Sequence, residues 1–410
     1  MRFAGLFLLA VIHINLQPLF AQEDPLAIGL KDWLNNLSSL DAGRTDPIAN
    51  YELTREQVSI VRKTLWEEWV ERNREEASKA IESKLIGMEP TQLKWLERRF
   101  GSPDSKDKPL FISMHGGGGA PAKVNDQQWN NQIRLYEPKE GIVVAPRAPG
   151  NTWDLWHQSH IDGLFDQLIA AYVVTGQADH DRIYLMGYSA GGDGVYQVAP
   201  RMADRFAAAS MMAGHPNEAQ PLGLRNLPFS IFVGEKDGAY NRNKVAADWG
   251  KKLDSLQHDD ADGYIHWMKA NPDKPHWMGG EDREALAWMT RYTRQTTPKK
   301  VVWFQDDVTH PSFYWLSLAE PKKAKGGAKI VASVQGNSIS IETDFEEPLV
   351  LQLSDELVDL DKPLEVTWNG TRIHNDVVKR SVANMLESLI AHSDPNRITS
   401  ARLKVAPAKP

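Results

Sequence analysis

Short apolar runs alternate with amphipathic stretches through the middle of the chain. The runs of strand type lie at residues 109–114, 141–146, 182–186, 206–212, 228–234 and 264–268. Helical periodicity separates several of them, at residues 161–175, 243–256 and 283–292. Strands that alternate with helices form a mainly parallel sheet with helices on both faces. The pattern therefore predicts an α/β fold, a doubly wound mainly parallel sheet, for residues 106–297.

The segment before this core, residues 22–105, has the pattern of helices. Thr54 is a candidate N-cap with Gln57 three residues later, and apolar residues then recur at helical spacing over residues 58–85. Pro90 and Gly101 suggest the start and stop of a second, short helix. We expect a helical extension that packs on the core.

The end of the chain alternates again, but with the period of strands. Candidate strands lie at residues 300–304, 313–318, 338–343, 349–353, 364–368 and 402–405, with one short helix at 382–389. Several short strands separated by turns are typical of a small β-sandwich. We predict such a domain for residues 298–410, with a role in packing, substrate binding or association of protomers left open.

The strand at 182–186 runs into Gly187-Tyr188-Ser189-Ala190-Gly191. A Gly-x-Ser-x-Gly turn between a strand and a helix is sharp and strained, and it holds a serine hydroxyl at the tip of a sheet. Side chains at the flanking glycines would collide with neighbouring backbone. The pentapeptide alone is a weak signal, so its meaning depends on the other strand ends.

Two further loops follow other strands of the core, one rich in glycine and one acidic. Four glycines come directly after His115, and their N–H groups can stabilise an oxyanion. We expect His115 itself to hold this loop by hydrogen bonds. Asp237 follows the strand at 228–234 and can orient an imidazole, with Glu235 as the nearest substitute.

His276 lies in the loop after the last core strand, where a histidine can take a serine proton and return it to a leaving group. The functional groups of a parallel sheet collect beyond the carboxyl ends of its strands. The chain order Ser189, Asp237, His276 is the nucleophile, acid, histidine order of α/β-hydrolases.

Four segments resemble secreted esterases and polyhydroxybutyrate-depolymerase-like enzymes of the α/β-hydrolase fold. They are residues 111–119, 145–149, 184–192 and 275–277. The resemblance implies Ser189 as nucleophile, Asp237 as acid and His276 as base. It also implies an oxyanion hole made by the Ala190 N–H and one from Gly117 or Gly118.

The resemblance extends over residues 109–297 and leaves the two ends of the chain uncovered. The sequence departs from secreted depolymerases, because it has no disulfide pattern and no evident polymer-adsorbing module. Trp153, Trp156 and Trp277 lie in loops near the strand ends, where aromatic faces can line a pocket for an acyl, aryl or sugar group. Core packing is an equal alternative for each of them.

Composition narrows the classes of partner. The chain has 410 residues with 47 basic and 54 acidic side chains, a formal charge of −7, and no long basic run, which argues against nucleic acid. It contains no cysteine and hence no disulfide. Asp306, Asp307 and His310 have metal-ligand chemistry, but without a second cluster we expect a solvated loop. No metal or organic cofactor is expected.

The first 21 residues have the features of a signal peptide. Arg2 precedes an apolar run at residues 3–12, and Leu19-Phe20-Ala21 follows as a candidate cleavage site. The run is too short to span a membrane. We therefore expect a secreted or periplasmic protein without stable membrane insertion.

These observations predict a secreted serine hydrolase that cleaves carboxylic esters through an acyl-enzyme. The substrate would be a small-molecule or polymer-derived ester. A serine peptidase of the prolyl-peptidase type on the same fold is one alternative, although no β-propeller repeat precedes the core. A non-catalytic binding protein is the other. The acyl and alcohol parts of the substrate and the oligomeric state stay open.

Overall fold

The computed structural model describes residues 24–36, 47–102, 105 and 108–408. The predicted signal peptide lies outside these residues. The helices of the described part are α1 Pro25–Asn36, α2 Arg55–Ser83, α3 Ala122–Gln132, α4 His160–Val174, α5 Ala190–Arg201, α6 Arg242–Asp259, α7 Glu284–Met289 and α8 Val382–His392. No helix of this part is both long and apolar enough to cross a membrane.

Seventeen strands form three sheets in the described residues. Those of the first sheet are β1 Leu85–Ile86, β2 Leu93–Phe100, β3 Leu110–Met114, β4 Gly141–Arg147, β5 Ile183–Tyr188, β6 Ala208–Met212, β7 Phe229–Gly234 and β8 His266–Asn271. The others are β9 Lys300–Phe304, β10 Ser312–Phe313, β11 Leu316–Leu318, β12 Lys329–Gln335, β13 Ser338–Thr343, β14 Leu349–Leu353, β15 Leu364–Trp368, β16 Thr371–Asp376 and β17 Ala401–Val405.

The eight-stranded sheet has the order β1-β2-β4-β3-β5-β6-β7-β8. The strands from β3 to β8 are parallel, whereas β1 and β2 run antiparallel to their neighbours. The prediction of an α/β fold with a mainly parallel sheet is confirmed. Its central strands are buried along their whole length, as a parallel sheet covered on both faces requires.

The second helix predicted between Pro90 and Gly101 is wrong, because Leu93–Phe100 forms β2. This strand pairs antiparallel with β4 over residues 94–100 and so extends the main sheet. Leu93 and Trp95 alternate with exposed Lys94 and are fully buried, which is a strand period. Pro90 and Gly101 bound this segment as they would a helix, but pairing with β4 decides the conformation.

Helix α2 forms as the sequence predicts. Its capping box is complete, since the Gln57 N–H donates to Thr54 Oγ1 (3.3 Å) and the Thr54 N–H donates to Gln57 Oε1 (2.9 Å). The helix packs against α4 of the core and against α1 and α8. Leu65 of α2 and Met385 of α8 share one hydrophobic cluster, so the two ends of the chain meet on the same helix.

The last hundred residues contain a four-stranded sheet, β10-β11-β14-β17, and a five-stranded sheet, β16-β15-β13-β12-β9. Apolar side chains of both sheets, among them Trp303, Ile339 and Leu351, belong to one hydrophobic cluster. The single strand predicted at 313–318 is instead two short strands, β10 and β11, that pair antiparallel. Tyr314 has a positive φ of 53° at this turn, which ends the first strand.

Candidate active site

Ser189 lies in the sharp turn between β5 and α5, with φ 59° and ψ −123°. A Cβ at Gly187 would lie 2.2 Å from the Gly191 carbonyl oxygen, and a Cβ at Gly191 would lie 2.1 Å from the Met114 carbonyl oxygen. No side chain fits at either distance, so the turn requires both glycines. The predicted collision at the flanking positions is therefore confirmed.

The structure brings Ser189, Asp237 and His276 together. His276 Nε2 lies 3.0 Å from Ser189 Oγ, and His276 Nδ1 lies 2.7 Å from Asp237 Oδ2. Asp237 is almost fully buried, with 2% of its surface exposed. A carboxylate accepts only, so the Nδ1–H donates to Asp237 and Nε2 is left to accept the serine proton. The three residues follow β5, β7 and β8, whose carboxyl ends point to the same edge of the sheet.

Arg242 is the only arginine or lysine that forms an ion pair with Asp237 among the described residues. Its Nη1 lies 3.8 Å from Asp237 Oδ1, and that oxygen has no hydrogen-bond partner there. Glu235, the alternative acid, instead accepts the Asp273 N–H (3.1 Å) and is exposed. The contacts favour Asp237 over Glu235 as the partner of His276.

Tyr188 holds the loop that carries His276, and the sequence analysis did not single it out. Its hydroxyl donates to the His276 carbonyl oxygen (2.7 Å) and accepts the Met278 N–H (3.0 Å). Burial raises the pKa of Tyr188 above its ordinary value, so the hydroxyl stays protonated and can donate. The sequence feature that points to Tyr188 is its position directly before the serine in the Gly-x-Ser-x-Gly motif.

His115 fixes the glycine loop from below, as expected. It is fully buried, its Nδ1 donates to the Gly116 carbonyl oxygen (2.6 Å), and its Nε2 accepts the Ala148 N–H (3.1 Å). Burial lowers the pKa of His115 to about 4, so the ring is neutral at neutral pH. A neutral ring can accept at one nitrogen and donate at the other, which is what both hydrogen bonds require.

The buried side chain of Asn125 engages the same loop. Its Oδ1 accepts the Gly118 N–H (3.1 Å), and its Nδ2 donates to the Gly118 carbonyl oxygen (3.0 Å). The expectation that Gly118 is a possible oxyanion donor is therefore wrong, because its N–H is already bonded. The N–H groups of Gly117 and Ala190 have no acceptor within the described chain. Gly116 lies directly against the serine, since a Cβ there would be 3.0 Å from Ser189 Cβ.

Helix α3, which carries Asn125, was absent from the sequence-based prediction. Its polar composition hides it, because its buried residues are Asn125 and Gln132 instead of an apolar stripe. A buried polar residue needs hydrogen-bond partners, and here they come from the glycine loop and from Ser113. The sequence does not show which amides are buried, because their burial depends on the tertiary fold.

The three tryptophans predicted to bind substrate have different positions. Trp277 is half exposed and lines the cleft beside Ser189. Trp153 is 63% exposed and lies against Gly118 and Gly119, but it is not part of the cleft wall. Trp156 is fully buried, and its Nε1–H donates to the His115 carbonyl oxygen (3.0 Å). A substrate-binding role for Trp156 is therefore wrong, because the indole supports the glycine loop from the core.

The cleft beside Ser189, called the serine cleft below, has a volume of about 630 Å³. It opens between the glycine loop, helix α3 with the turn after it, and the loop of His276. Its walls are Gly116, Gly117, Ala120, Val124, Gln128, Asn131, Gln132, Arg134, Leu135, Tyr188, Ser189, His276 and Trp277. A cleft of this size accommodates a small organic ligand.

The loop of Asp306, Asp307 and His310 is not simply solvated as predicted, because His310 is buried. His310 Nε2 lies 2.6 Å from Asp162 Oδ2, and Asp162 also pairs with Arg201 at 2.6 Å. Asp162 lies in the first turn of α4, where a carboxylate complements the helix dipole. Buried Asp162 also joins the C-terminal segment to the core, because it contacts His310 of the one and Arg201 of the other.

One cluster of the described residues has the composition of a metal site. Ligand atoms of Asp179, His180 and Asp181 lie within 4.8 Å of one another. Asp181 already pairs with Arg294 (2.9 Å) and Asn396 (2.6 Å), and His180 Nδ1 lies 3.0 Å from Asp179. The cluster precedes β5, at the end of the sheet opposite Ser189.

In a comparison with known proteins, two esterases are similar in sequence to part of this chain. No protein-family model matches the chain. A bifunctional acetylxylan esterase/xylanase from Neocallimastix patriciarum is 28% identical over 145 residues, which cover 34% of this chain and 21% of that protein. Feruloyl esterase B from Thermothelomyces thermophilus is 28% identical over 162 residues, 36% of this chain and 53% of that protein. The chain thus spans between a fifth and about half of the length of these relatives.

Solved structures include esterases as well. The crystal structure of a thermostable esterase has a TM-score of 0.39 at 19% identity and covers 51% of this chain and 62% of that one. LpqC, a poly(3-hydroxybutyrate) depolymerase from Bordetella parapertussis, has a TM-score of 0.38 at 15% identity and covers 50% of this chain and 86% of that one. The two curated relatives confirm the resemblance to esterases that the motifs predict.

Proposed function

We propose that this protein is a serine hydrolase of carboxylic esters. The hydrogen-bonded series from Asp237 through His276 to Ser189 carries the proposal, because it joins a buried acid, a base and a hydroxyl in the geometry of nucleophilic catalysis. The two curated relatives that the chain resembles are esterases, which supports an ester over other acyl compounds.

In the proposed reaction, Ser189 Oγ attacks the ester carbonyl carbon while its proton passes to His276 Nε2. The carbonyl oxygen becomes an oxyanion, which the N–H groups of Ala190 and Gly117 stabilise. Collapse of this intermediate breaks the bond to the alcohol oxygen, and His276 returns the proton to the leaving alcohol. An acyl-enzyme on Ser189 remains.

Water then acts as the second nucleophile and goes through the same steps. His276 takes a proton from water, the hydroxide attacks the acyl carbon, and a second oxyanion forms in the same place. Its collapse frees the carboxylic acid and returns the proton to Ser189. Asp237 stays ionised throughout, orients the imidazole through Nδ1 and stabilises its cationic form.

Hydrolysis of 4-nitrophenyl acetate by the purified protein tests this proposal. Ser189→Ala is expected to lower kcat by roughly four to six powers of ten, because the nucleophile is removed. Ser59→Ala, at an exposed position of α2, is the matched control and should keep full activity. A fluorophosphonate probe should label Ser189 in the wild type and the control. Full activity of Ser189→Ala would contradict the proposed nucleophile.

A peptide substrate and a non-catalytic role make different predictions. A peptidase of the prolyl-peptidase type would cleave peptide amides in a substrate panel at rates comparable with esters. A binding protein without catalysis would show no covalent labelling, and it predicts a histidine out of reach of the serine. The distance of 3.0 Å between His276 and Ser189 weighs against that alternative.

Export remains part of the proposal. The cleavage expected after Ala21 would give a mature chain beginning at Gln22. Intact-mass measurement of protein recovered outside the cytoplasm of an expression host tests it. Recovery of only the uncleaved chain from the cytoplasm would contradict it.

A further inference from the structure

The serine cleft contains one fixed positive charge and no acid. Of the residues that line it, the only ionisable ones are Arg134, Tyr188 and His276, and none of the described lining residues is an aspartate, glutamate or lysine. His276 and Tyr188 are already engaged with Asp237 and with the His276 loop. The charge of Arg134 is therefore the one that a bound substrate meets.

Arg134 has no acidic partner among the described residues, in contrast to its neighbours. Arg98 pairs with Glu137 at 2.8 Å, and Arg147 pairs with Asp126 at 2.8 Å. Arg283 donates to the Leu135 carbonyl oxygen at 3.0 Å. Arg134 is exposed and lines both the serine cleft and a neighbouring cavity, whose walls include Glu137 and Glu140. It forms an ion pair with neither acid in the described structure, so its planar guanidinium keeps a free set of donors at the edge of the cleft.

Two unbonded amides lie beside this cation. Gln128 and Asn131 are three residues apart on α3, so they share one helix face, and both line the cleft. Neither side chain has a hydrogen-bond partner in the described structure, whereas Gln132 donates to Ser113 Oγ (2.8 Å) in the core. The wall of the cleft thus offers a guanidinium and two amides, with Leu135 and Trp277 as its apolar surfaces.

From this arrangement, and on the basis of the proposed ester hydrolysis, we infer that the preferred substrate is an ester that also carries a carboxylate, and that Arg134 binds this carboxylate. A guanidinium matches a carboxylate in charge and in the spacing of two parallel hydrogen bonds. The amides complete the site by donating to the remaining lone pairs. The net charge of −7 repels an anion at long range, so the preference must come from this local contact.

Matched pairs of esters measure the preference. On the acyl side, mono-4-nitrophenyl adipate is compared with its neutral methyl ester. On the alcohol side, 4-acetoxybenzoate is compared with 4-acetoxybenzamide. We expect kcat/KM of the wild type to be higher for the anion in one of the two pairs, and the pair concerned identifies which half of the ester reaches Arg134.

Variants of Arg134 then test the assignment. Arg134→Gln should lower kcat/KM for the preferred anion by roughly five- to tenfold, mainly through KM, because a partly exposed ion pair is lost. Its kcat/KM for the neutral esters should fall much less, so the ratio of kcat/KM for the anionic ester to that for the neutral ester measures the contact. Arg134→Lys should restore part of the preference, since it keeps the charge but loses the paired geometry. Lys139→Gln, an exposed charge outside the cleft, is the control for net charge and should leave the preference intact.

The outcomes separate this inference from the proposed function. Equal selectivity in Arg134→Gln and Lys139→Gln, or a wild-type preference for the neutral ester in both pairs, would overturn the inference while ester hydrolysis stands. If the wild type hydrolysed no ester and Ser189 were not labelled, the proposed function would fail and the inference with it.

Discussion

Asp193 is a partly buried carboxyl close in sequence to the proposed nucleophile, in the first turn of α5. Its Oδ1 accepts the His215 N–H at 2.6 Å. Burial raises the pKa of Asp193 from its ordinary value of 3.8 to about 6, despite the hydrogen bond and nearby Arg242, which lower it. The folded protein therefore binds this proton more tightly than the unfolded chain does.

This shift predicts a pH dependence of stability. The raised pKa contributes stability that is fully present below about pH 4 and is lost as the pH rises through about 6, because ionisation of the partly buried carboxyl then opposes folding. Asn resembles the neutral acid and can still accept the His215 N–H. Asp193→Asn should therefore gain stability relative to the wild type between pH 4 and pH 7, by on the order of 2 to 3 kcal/mol.

Urea unfolding at several pH values measures the difference. Asp262→Asn, which changes an exposed carboxylate, is the matched control. Free energies of unfolding that stay parallel for Asp193→Asn and the wild type across this range would show that Asp193 does not ionise there.

At the scale of elements, helix α5 and strand β3 approach each other closely beside the site. The first turn of this helix reaches the strand at Gly191, where only a hydrogen fits against the Met114 carbonyl oxygen. The helix starts directly after Ser189, so its position sets that of the Ala190 N–H. A displaced helix would move the proposed nucleophile and one proposed oxyanion donor together.

Gly191→Ala should therefore abolish most ester hydrolysis and destabilise the protein. An added methyl at 2.1 Å from a backbone oxygen forces the helix away from the strand. We expect a loss of at least 1 to 3 kcal/mol in the free energy of unfolding, about the usual cost of overpacking. Fluorophosphonate labelling and urea unfolding measure the two effects.

Gly163→Ala is the matched control for this substitution. Gly163 lies inside α4, and a Cβ there would have no atom within 4 Å. Alanine should stabilise that helix by up to about 1 kcal/mol. Similar stability and labelling of the two variants would show that the close approach at Gly191 is not restrictive.

Element prediction succeeded where one face of a segment is apolar and failed where polar residues are buried or a strand lies at a sheet edge. The central strands are continuous apolar runs, and α2 has both a capping box and helical periodicity. Helix α3 buries amides instead, and β2 carries Glu97 and Arg98 because it lies near the edge of the sheet. In both cases the decisive partners are distant in the chain.

At the scale of the whole molecule, buried ion pairs join the core to the C-terminal segment. Asp204, 2% exposed, pairs with Arg205 at 2.5 Å and with Arg397 at 2.7 Å, and it accepts the Tyr314 N–H at 3.1 Å. Burial alone would raise the pKa of Asp204, but the two guanidinium groups hold it well below its usual range. The Asp204 carboxylate thus balances the charge of Arg205 in the core and that of Arg397 in the C-terminal segment.

Asp204→Asn should destabilise the protein by about 3 to 5 kcal/mol, because buried Arg397 loses the carboxylate that pairs with it and Arg205 keeps only Asp166. Asp166→Asn is the matched control, since Asp166 also pairs with Arg205 (3.1 Å) but is 46% exposed. Its loss should cost at most about 1 kcal/mol. Urea unfolding of both variants measures the difference, and equal costs would contradict the role of Asp204 at the junction.

The sequence by itself determined the α/β fold and the group of residues at the candidate active site. Ser189, Asp237 and His276 were predictable because each follows a recognisable strand, and parallel strands bring their carboxyl ends to one edge. The strained serine turn was predictable because its glycines are a local requirement. These features depend on periodicity and on neighbours in the chain.

Only the tertiary structure decided which groups near Ser189 are available to a ligand. Asn125 accepts the Gly118 N–H and leaves that of Gly117, and Trp156 lies in the core. Arg134 lines the cleft without an acidic partner in the part of the chain that the structure describes. Hydrogen-bond partners and burial depend on contacts between segments that are far apart in the chain, and such contacts leave no periodic pattern in either segment. The shape and charge of the serine cleft therefore follow from packing.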